Sequence, residues 1–266
     1  MQYIGSIIGD YCGAVYEWSN TDAKSPDEVE ILTYGKFTDD TVLTVAVMDW
    51  LNKCEGKDTN LLADLLKKWT RLYPTAGYGR MYHDWAFSER REPFGSFGNG
   101  SAMRAAPCAY FANTLEECLE ISKNSAIVTH NHEEGIKGAQ AVAEAIYLAR
   151  CGADKDGIQK VIEDDFKYSL NRPLNELGTR SHRFDATCQI TVPEALICFL
   201  NSKNFLDCIR TSIWIGGDSD TIAAISGGLA EAYYGIPSWI EEKIKEHLPS
   251  EMKNTISKFN NKMLNR

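Results

Sequence analysis

The sequence predicts an all-α protein of one domain spanning residues 1–266. Three observations carry this. Apolar residues recur at helical spacing in segment after segment, period-2 alternation is nearly absent, and carboxylates and hydroxyls cluster where apolar runs begin. A hydrophobic fraction of 44% over 266 residues is ample for a core.

Gly5, Gly9 and Gly13 recur every four residues in the first segment, 2–16, and so share one helix stripe, which predicts close packing of another helix. Asp10 interrupts that segment as either a supporting acid or an exposed one, and Glu17 falls where the helix runs out. A polar loop with Pro26 and Gly35 follows, then helices over about Asp39 to Asn52 and Asn60 to Leu72. Pro74 to Gly100 lacks periodicity but is rich in aromatic residues. A loop of that length is usually functional or disordered, and Tyr78, Tyr82, Trp85, Phe87, Phe94 and Phe97 favour an ordered, functional one. Helices are expected over 115–128, 133–151, 156–167, 192–200, 205–214, 219–234, 237–247 and 250–264, with 168–190, including His182, as a second surface loop.

Two stretches promise chemistry. Gly216-Gly217-Asp218-Ser219-Asp220-Thr221 opens one apolar run, and Thr38-Asp39-Asp40-Thr41 opens another. Positions i and i+2 of a regular helix do not face each other, so two such carboxylates converge only where the backbone is still turning, as glycines allow. Each stretch alone reads as an ordinary N-cap. Together they place four carboxylates and several hydroxyls at two helix mouths, which asks for a cation. Ser96 to Arg104 contains a glycine-lined turn (Gly98-Asn99-Gly100) whose backbone N–H groups suit an anion such as phosphate. His130-Asn131-His132 beside Glu133 and Glu134 reads either as a metal site or as a helix start capped by Thr129 or Asn131.

A net charge of −9 and a pI near 5.1, without a basic patch, argue against binding a nucleic-acid backbone. Eight cysteines without a CxxC pair suggest buried free thiols in a reducing compartment. No apolar run reaches membrane-spanning length and the N-terminus lacks a signal-peptide pattern, so a cytoplasmic protein, a monomer, is expected.

Lined up in order, GDYCGAVYE (9–17), FTDDT (37–41), SFGNGSAMR (96–104), Thr129-His130 and GGDSDT (216–221) resemble the ADP-ribosylglycohydrolase family over nearly the whole chain. The resemblance implies a single compact orthogonal all-α helical bundle with a binuclear magnesium centre that hydrolyses the bond between ADP-ribose and its acceptor, an ADP-ribosylated protein or small ADP-ribosyl conjugate. It implies that Thr38, Asp39, Asp40, Asp218, Asp220 and Thr221 hold two Mg²⁺ ions, a hard all-oxygen set. It implies that Ser96, Phe97, Gly98, Asn99 and Gly100 hold the diphosphate and adenosine, that His130 contacts ADP-ribose near its phosphates, and that Glu17, Asp39 and Asp218 carry the chemistry. Glu17 matches a glutamate that sits on a mobile flap in some members. The arginine-directed branch carries an Asp three residues before the motif Asn. Here Ser96 stands there, which resembles the branch that cleaves O-linked ADP-ribose, as on serine. The segment from Glu17 to Thr38 is shorter than in animal members. A metal-dependent nucleotide pyrophosphohydrolase and an inactive ADP-ribose-binding relative are the competing expectations.

Overall fold

Thirteen α-helices form among the described residues. In a computed structural model, which describes residues 3–31, 35–178 and 184–265, they run α1 (Gly5–Gly13), α2 (Asp39–Cys54), α3 (Thr59–Leu72), α4 (Arg80–Ala86), α5 (Ala106–Phe111), α6 (Leu115–Ile127) and α7 (Glu133–Arg150). The second half continues α8 (Lys155–Phe166), α9 (Cys188–Asn201), α10 (Phe205–Ile215), α11 (Ser219–Tyr234), α12 (Ser238–His247) and α13 (Ser250–Leu264). Asp58, Thr114, Asp154 and Asn204 each accept a backbone N–H of the turn they precede, satisfying donors that a helix start otherwise leaves open. Short 3-10 turns occupy Pro26–Glu28, Asn99–Ser101 and Leu174–Glu176. Among the described residues there is no sheet, and one isolated bridge joins Gly98 to Thr187. No described helix is long and apolar enough to cross a membrane.

Helix α11 is the axis of the bundle. Ser219 to Glu231 are buried without interruption, and α1, α7, α9 and α10 pack around them. The expected glycine stripe is what lets α1 lie directly on α11. A Cβ at Gly5, Gly9 or Gly13 would fall less than 3.0 Å from Gly227 O, Ala223 O or Ser219 O respectively. The partners step backwards by four as the glycines step forwards, so the two helices run antiparallel in register. The end of α1 therefore arrives beside the start of α11. Trp50, Phe111, Phe199, Phe205 and Phe259 fill the surrounding core, each stabilising the fold by about 1.5–3 kcal/mol through removal of apolar surface from water.

The long segment 74–100 is ordered, but it is not irregular throughout, because it contains α4. Lys67, buried on α3, donates to Trp85 O, Ser88 O and Arg90 O at 3.1, 2.6 and 2.6 Å, and the Trp85 indole donates to Glu92 O at 3.1 Å. Its rings form a chain with centroid spacings of 5.5 Å (Tyr78–Tyr82), 5.7 Å (Tyr82–Trp85), 6.2 Å (Trp85–Phe94) and 6.1 Å (Phe94–His130). Helix α9 begins at Cys188 rather than Val192 and carries Pro193 inside it. Part of the expected loop 168–190 is thus helical, while residues 179–183, with His182, lie outside the described residues. All eight cysteines are free, six of them buried.

Candidate active site

Two helix mouths face each other because α1 bridges them. Asp10, completely buried on α1, accepts the Thr38 N–H (2.9 Å), the Thr38 hydroxyl (2.7 Å), the Thr41 N–H (3.0 Å) and the Thr41 hydroxyl (2.5 Å). It thereby ties the start of α2 to α1 and places a negative charge on the positive end of the α2 dipole. Of the two readings open for Asp10, the supporting acid is the one observed. Across the gap, the Thr221 hydroxyl donates to Asp40 Oδ2 at 3.1 Å, joining α11 to α2.

An ordinary capping role accounts for Thr38, whose hydroxyl accepts the Asp40 N–H at 3.3 Å. It does not account for the acids. Asp218 stands at the cap position of α11 without bonding a backbone N–H, and accepts instead the Asn99 side-chain amide at 2.7 Å. Gly216 and Gly217, at φ of 72° and 84°, supply the turning backbone that lets Asp218 and Asp220 converge.

Asp10, Asp40 and Asp220 offer carboxylate oxygens within 4.8 Å of one another, and so do Glu17, Asp218 and Asp220. The two triads share Asp220. Asp40 Oδ1 is buried with no hydrogen-bond partner, an acceptor that burial should not leave orphaned. The donors are all oxygens, as a hard cation requires. These residues fit a metal ion. Asp39 stands outside both triads and is among the residues lining the neighbouring cleft.

Crowding shows in the acidities. Burial, then its neighbouring acids, pushes Asp40 well above the usual carboxylate range, with Asp220 the largest of those neighbours. Burial does the same for Asp220, reinforced by Asp218, and for Asp39, reinforced by Asp220. Asp218 is raised to about 6, chiefly by burial, and Glu17 to about 7 by burial and then Asp220. A carboxyl whose folded pKa exceeds its unfolded value keeps its proton longer in the folded state, so stability falls as pH rises between the two values. For Glu17 and Asp218 that window runs from about 4 to about 7. With chelator present, the melting temperature is expected to fall across this window. Mg²⁺ is expected to restore it, more at pH 7.5 than at pH 5, where protons compete. A melting temperature independent of both pH and Mg²⁺ would remove the cation site.

A cleft of about 290 Å³ adjoins the acids, lined among others by Asp39, Tyr82, Ser96, Gly98, Asn99, Gly100, Arg104 and His130. Asn99 connects cleft and acids, since it lines the one and its amide donates to Asp218, and it is held by a further bond to the Thr191 hydroxyl at 3.0 Å. The glycine-lined turn has fewer free donors than its sequence suggests. The Gly98 N–H goes to Ser96 Oγ (3.1 Å) and the Asn99 N–H to Ala186 O (2.8 Å). Phe97 does not line the cleft. It is 46% exposed and leans on the His132 ring at 5.3 Å.

The His-x-His motif is not a metal site in the described residues. His132 is itself the N-cap of α7, its Nδ1 accepting the Glu134 N–H at 3.2 Å, in place of Thr129 or Asn131. His130 is buried, with Nδ1 against the Thr129 hydroxyl at 2.7 Å. Sequence reasoning passed over Arg104, a fully buried guanidinium that donates to Gly100 O, Ser125 O and the Thr129 hydroxyl at 3.0, 2.9 and 2.8 Å. A cation embedded in an apolar run was the available signal, because it is almost never buried without partners. Trp18, beside Glu17 and 79% exposed, stacks on Phe184 with centroids 5.4 Å apart, a pairing that no local pattern announces.

An all-α bundle with paired acidic helix mouths beside a glycine-turn cleft defines a class of hydrolase-like site, and the comparisons place it. The sequence model of the ADP-ribosylglycohydrolase family matches residues 3–266, and the chain belongs to that family. It is 28% identical to the ADP-ribosylarginine hydrolase Tri1 of Pseudomonas putida (strain GB-1), over 90% of this chain and 72% of that one. It is 28% identical to ADP-ribosylhydrolase ARH3 of Mus musculus (87% and 82% covered) and 27% identical to the Homo sapiens ARH3 (87% and 84%). A solved structure titled ADP-ribosylglycohydrolase-related protein complex shares the fold, with a TM-score of 0.75 at 24% identity, covering 97% of this chain and 94% of that one.

Proposed function

We propose that the chain, acting as one domain over residues 1–266, hydrolyses the glycosidic bond linking ADP-ribose to an acceptor and releases ADP-ribose. The acceptor is a protein side chain, with serine oxygen favoured. The observation that carries the reading is the position of Glu17. It joins Asp218 and Asp220 at one end of a site whose other part is the Ser96–Gly100 turn with His130. A reacting sugar and a remote nucleotide are thereby held together, so binding energy from the nucleotide orders the reacting end.

Thr38, Asp39, Asp40, Asp218, Asp220 and Thr221 would hold two Mg²⁺ ions, with Asp10 completing one triad and Asp220 shared between the two. Bound there, the ions supply Lewis acidity and fixed positions for sugar hydroxyls and water. Asn99 holds Asp218 in orientation, and Asp10 holds Thr38. Burial, the largest cause, holds Glu17 above the usual carboxylate range, which suits a group that gives and retakes a proton. Protonated Glu17 gives its proton to the departing serine oxygen as the bond to C1″ breaks. The carboxylate so formed takes a proton from the water that adds to C1″, which regenerates the acid. The substrate is an ADP-ribosylated protein or small conjugate met in the cytoplasm by a monomer, with neither nucleic-acid backbone nor membrane involved.

Ser96 supports the O-linked preference. Its hydroxyl braces Gly98, in the place where the arginine-directed branch carries an acid that could pair with a cationic guanidinium. Similarity to Tri1 and to ARH3 is equal at 28% and does not separate the branches. With matched peptides, kcat/KM for serine-linked ADP-ribose is expected to exceed that for arginine-linked by on the order of tenfold, ~1.4 kcal/mol in transition-state stabilisation. A preference for arginine would overturn the acceptor assignment. Release of AMP instead of intact ADP-ribose would indicate a pyrophosphohydrolase, and binding without turnover an inactive relative.

A further inference from the structure

His130 offers two ring nitrogens, and which one carries the proton decides whether it donates or accepts in the cleft. The surrounding hydrogen bonds decide it. A threonine hydroxyl has one proton to give. Arg104 Nη2 donates to Thr129 Oγ1 at 2.8 Å, and a guanidinium can only donate, so that contact uses an oxygen lone pair. The Thr129 proton remains, and Oγ1 lies 2.7 Å from His130 Nδ1. Were Nδ1 protonated, it would point its hydrogen at the same oxygen. The hydroxyl proton, completely buried, would then have no acceptor among the described residues, which burial penalises. Nδ1 is therefore the acceptor and Nε2 carries the hydrogen.

We infer that Arg104 and Thr129 fix His130 as the Nε2–H tautomer, making it a one-way hydrogen-bond donor to an acceptor oxygen of the nucleotide in the cleft. The nucleotide half of this statement rests on the functional reading above, whereas the tautomer does not. Ring placement agrees. His130 lines the cleft, no described protein acceptor meets Nε2, and a Cβ at Gly100 would sit 3.1 Å from that nitrogen. Glycine at 100 thus leaves the N–H face open. On the opposite side, a Cβ at Gly135 would lie 2.9 Å from His130 Cβ, so α7 packs closely against the base of the side chain. Charge follows the same logic, because burial, and then the Arg104 guanidinium, hold the imidazole well below the usual histidine range and keep it neutral. Arg104 does a second job with the same group, since its Nη1 holds Gly100 O at 3.0 Å and so sets the turn facing His130. Thr129 and Arg104 are positioning residues, acting on substrate through His130.

Nitrogen-15 spectroscopy of the ligand-free wild type tests this, with the His130 signals assigned by their loss in His130→Gln. The expected pattern near neutral pH is a neutral imidazole with hydrogen on Nε2. A protonated Nδ1, as the other tautomer or as imidazolium, overturns the inference whatever any variant does. Thr129→Val keeps the side-chain shape and removes the hydroxyl. It is expected to give a mixture of tautomers and to weaken ADP-ribose binding by about five- to tenfold, the worth of one hydrogen bond. Thr129→Ser is expected to restore both readouts, which a purely structural role for the β-branched side chain would not allow. A Thr129→Val protein that keeps a pure Nε2–H signal also overturns the inference. Absence of ADP-ribose binding in the wild type overturns the functional reading instead, and the ligand-free spectrum still decides the tautomer.

Discussion

Asp40→Asn and Asp218→Asn are each expected to lower turnover by on the order of 10²-fold or more, since a metal centre supplies several kcal/mol of transition-state stabilisation. A carboxamide keeps the side-chain shape and removes the charge that holds a hard cation. The fold is expected to survive. Thr38 already caps α2, Asp218 caps nothing, and an asparagine oxygen at 218 still accepts the Asn99 amide. Relief of crowding makes the outcome sharper. Both acids sit above the usual carboxylate range because burial and neighbouring acids oppose their charge. At pH 8 in chelator, each variant should therefore melt at a higher temperature than the wild type, while the stabilisation by Mg²⁺ shrinks or vanishes. Opposite movement of stability and activity is the signature of acids kept for function rather than for folding. Near-wild-type turnover at matched Mg²⁺ in either variant would sink the metal assignment.

Glu17→Gln is expected to lower kcat by roughly 10²–10⁴-fold, the usual worth of general acid–base catalysis, with ADP-ribose affinity almost unchanged. The product lacks the acceptor, so a residue working on the departing oxygen and the incoming water contributes little to holding it. Glu17 stands just past the end of α1, in a triad with Asp218 and Asp220, so the substitution also removes one charge from the crowd. Equal losses in kcat and in ADP-ribose affinity would make Glu17 a binding residue. An unchanged rate would remove it from the reaction.

Most helices were legible because their signals are local. Apolar spacing and a capping Asp, Thr or Asn lie within one or two turns of the element they define, as at Asp58, Thr114, Asp154 and Asn204. Where local signals are short or contradictory, the reading missed. Helix α5 has six residues and α4 seven, too few to show a period. Pro193 invites a helix start at Val192, yet α9 begins four residues earlier and accommodates the proline. His132 caps α7 with an imidazole, a side chain that capping preferences do not favour.

By itself the sequence determined the helical class, the acid-bearing helix mouths, the glycine stripe of α1 and, through ordered motifs, the family. Only the tertiary structure decided what those acids face. Asp10 reaches Thr38 across 28 residues, Asn99 reaches Asp218 across 119, and Thr221 reaches Asp40 across 181. None of these separations leaves a periodic trace. One packing event, α1 laid antiparallel on α11 through its glycines, carries Asp10 and Glu17 to the acids of α11. The same holds for Arg104. Its charge can be read in the chain, but only burial among Gly100, Ser125 and Thr129 turns it into the group that settles the proton of His130. Local sequence sets which residues can bond at a helix end, and the close approach of two helices sets which of them meet.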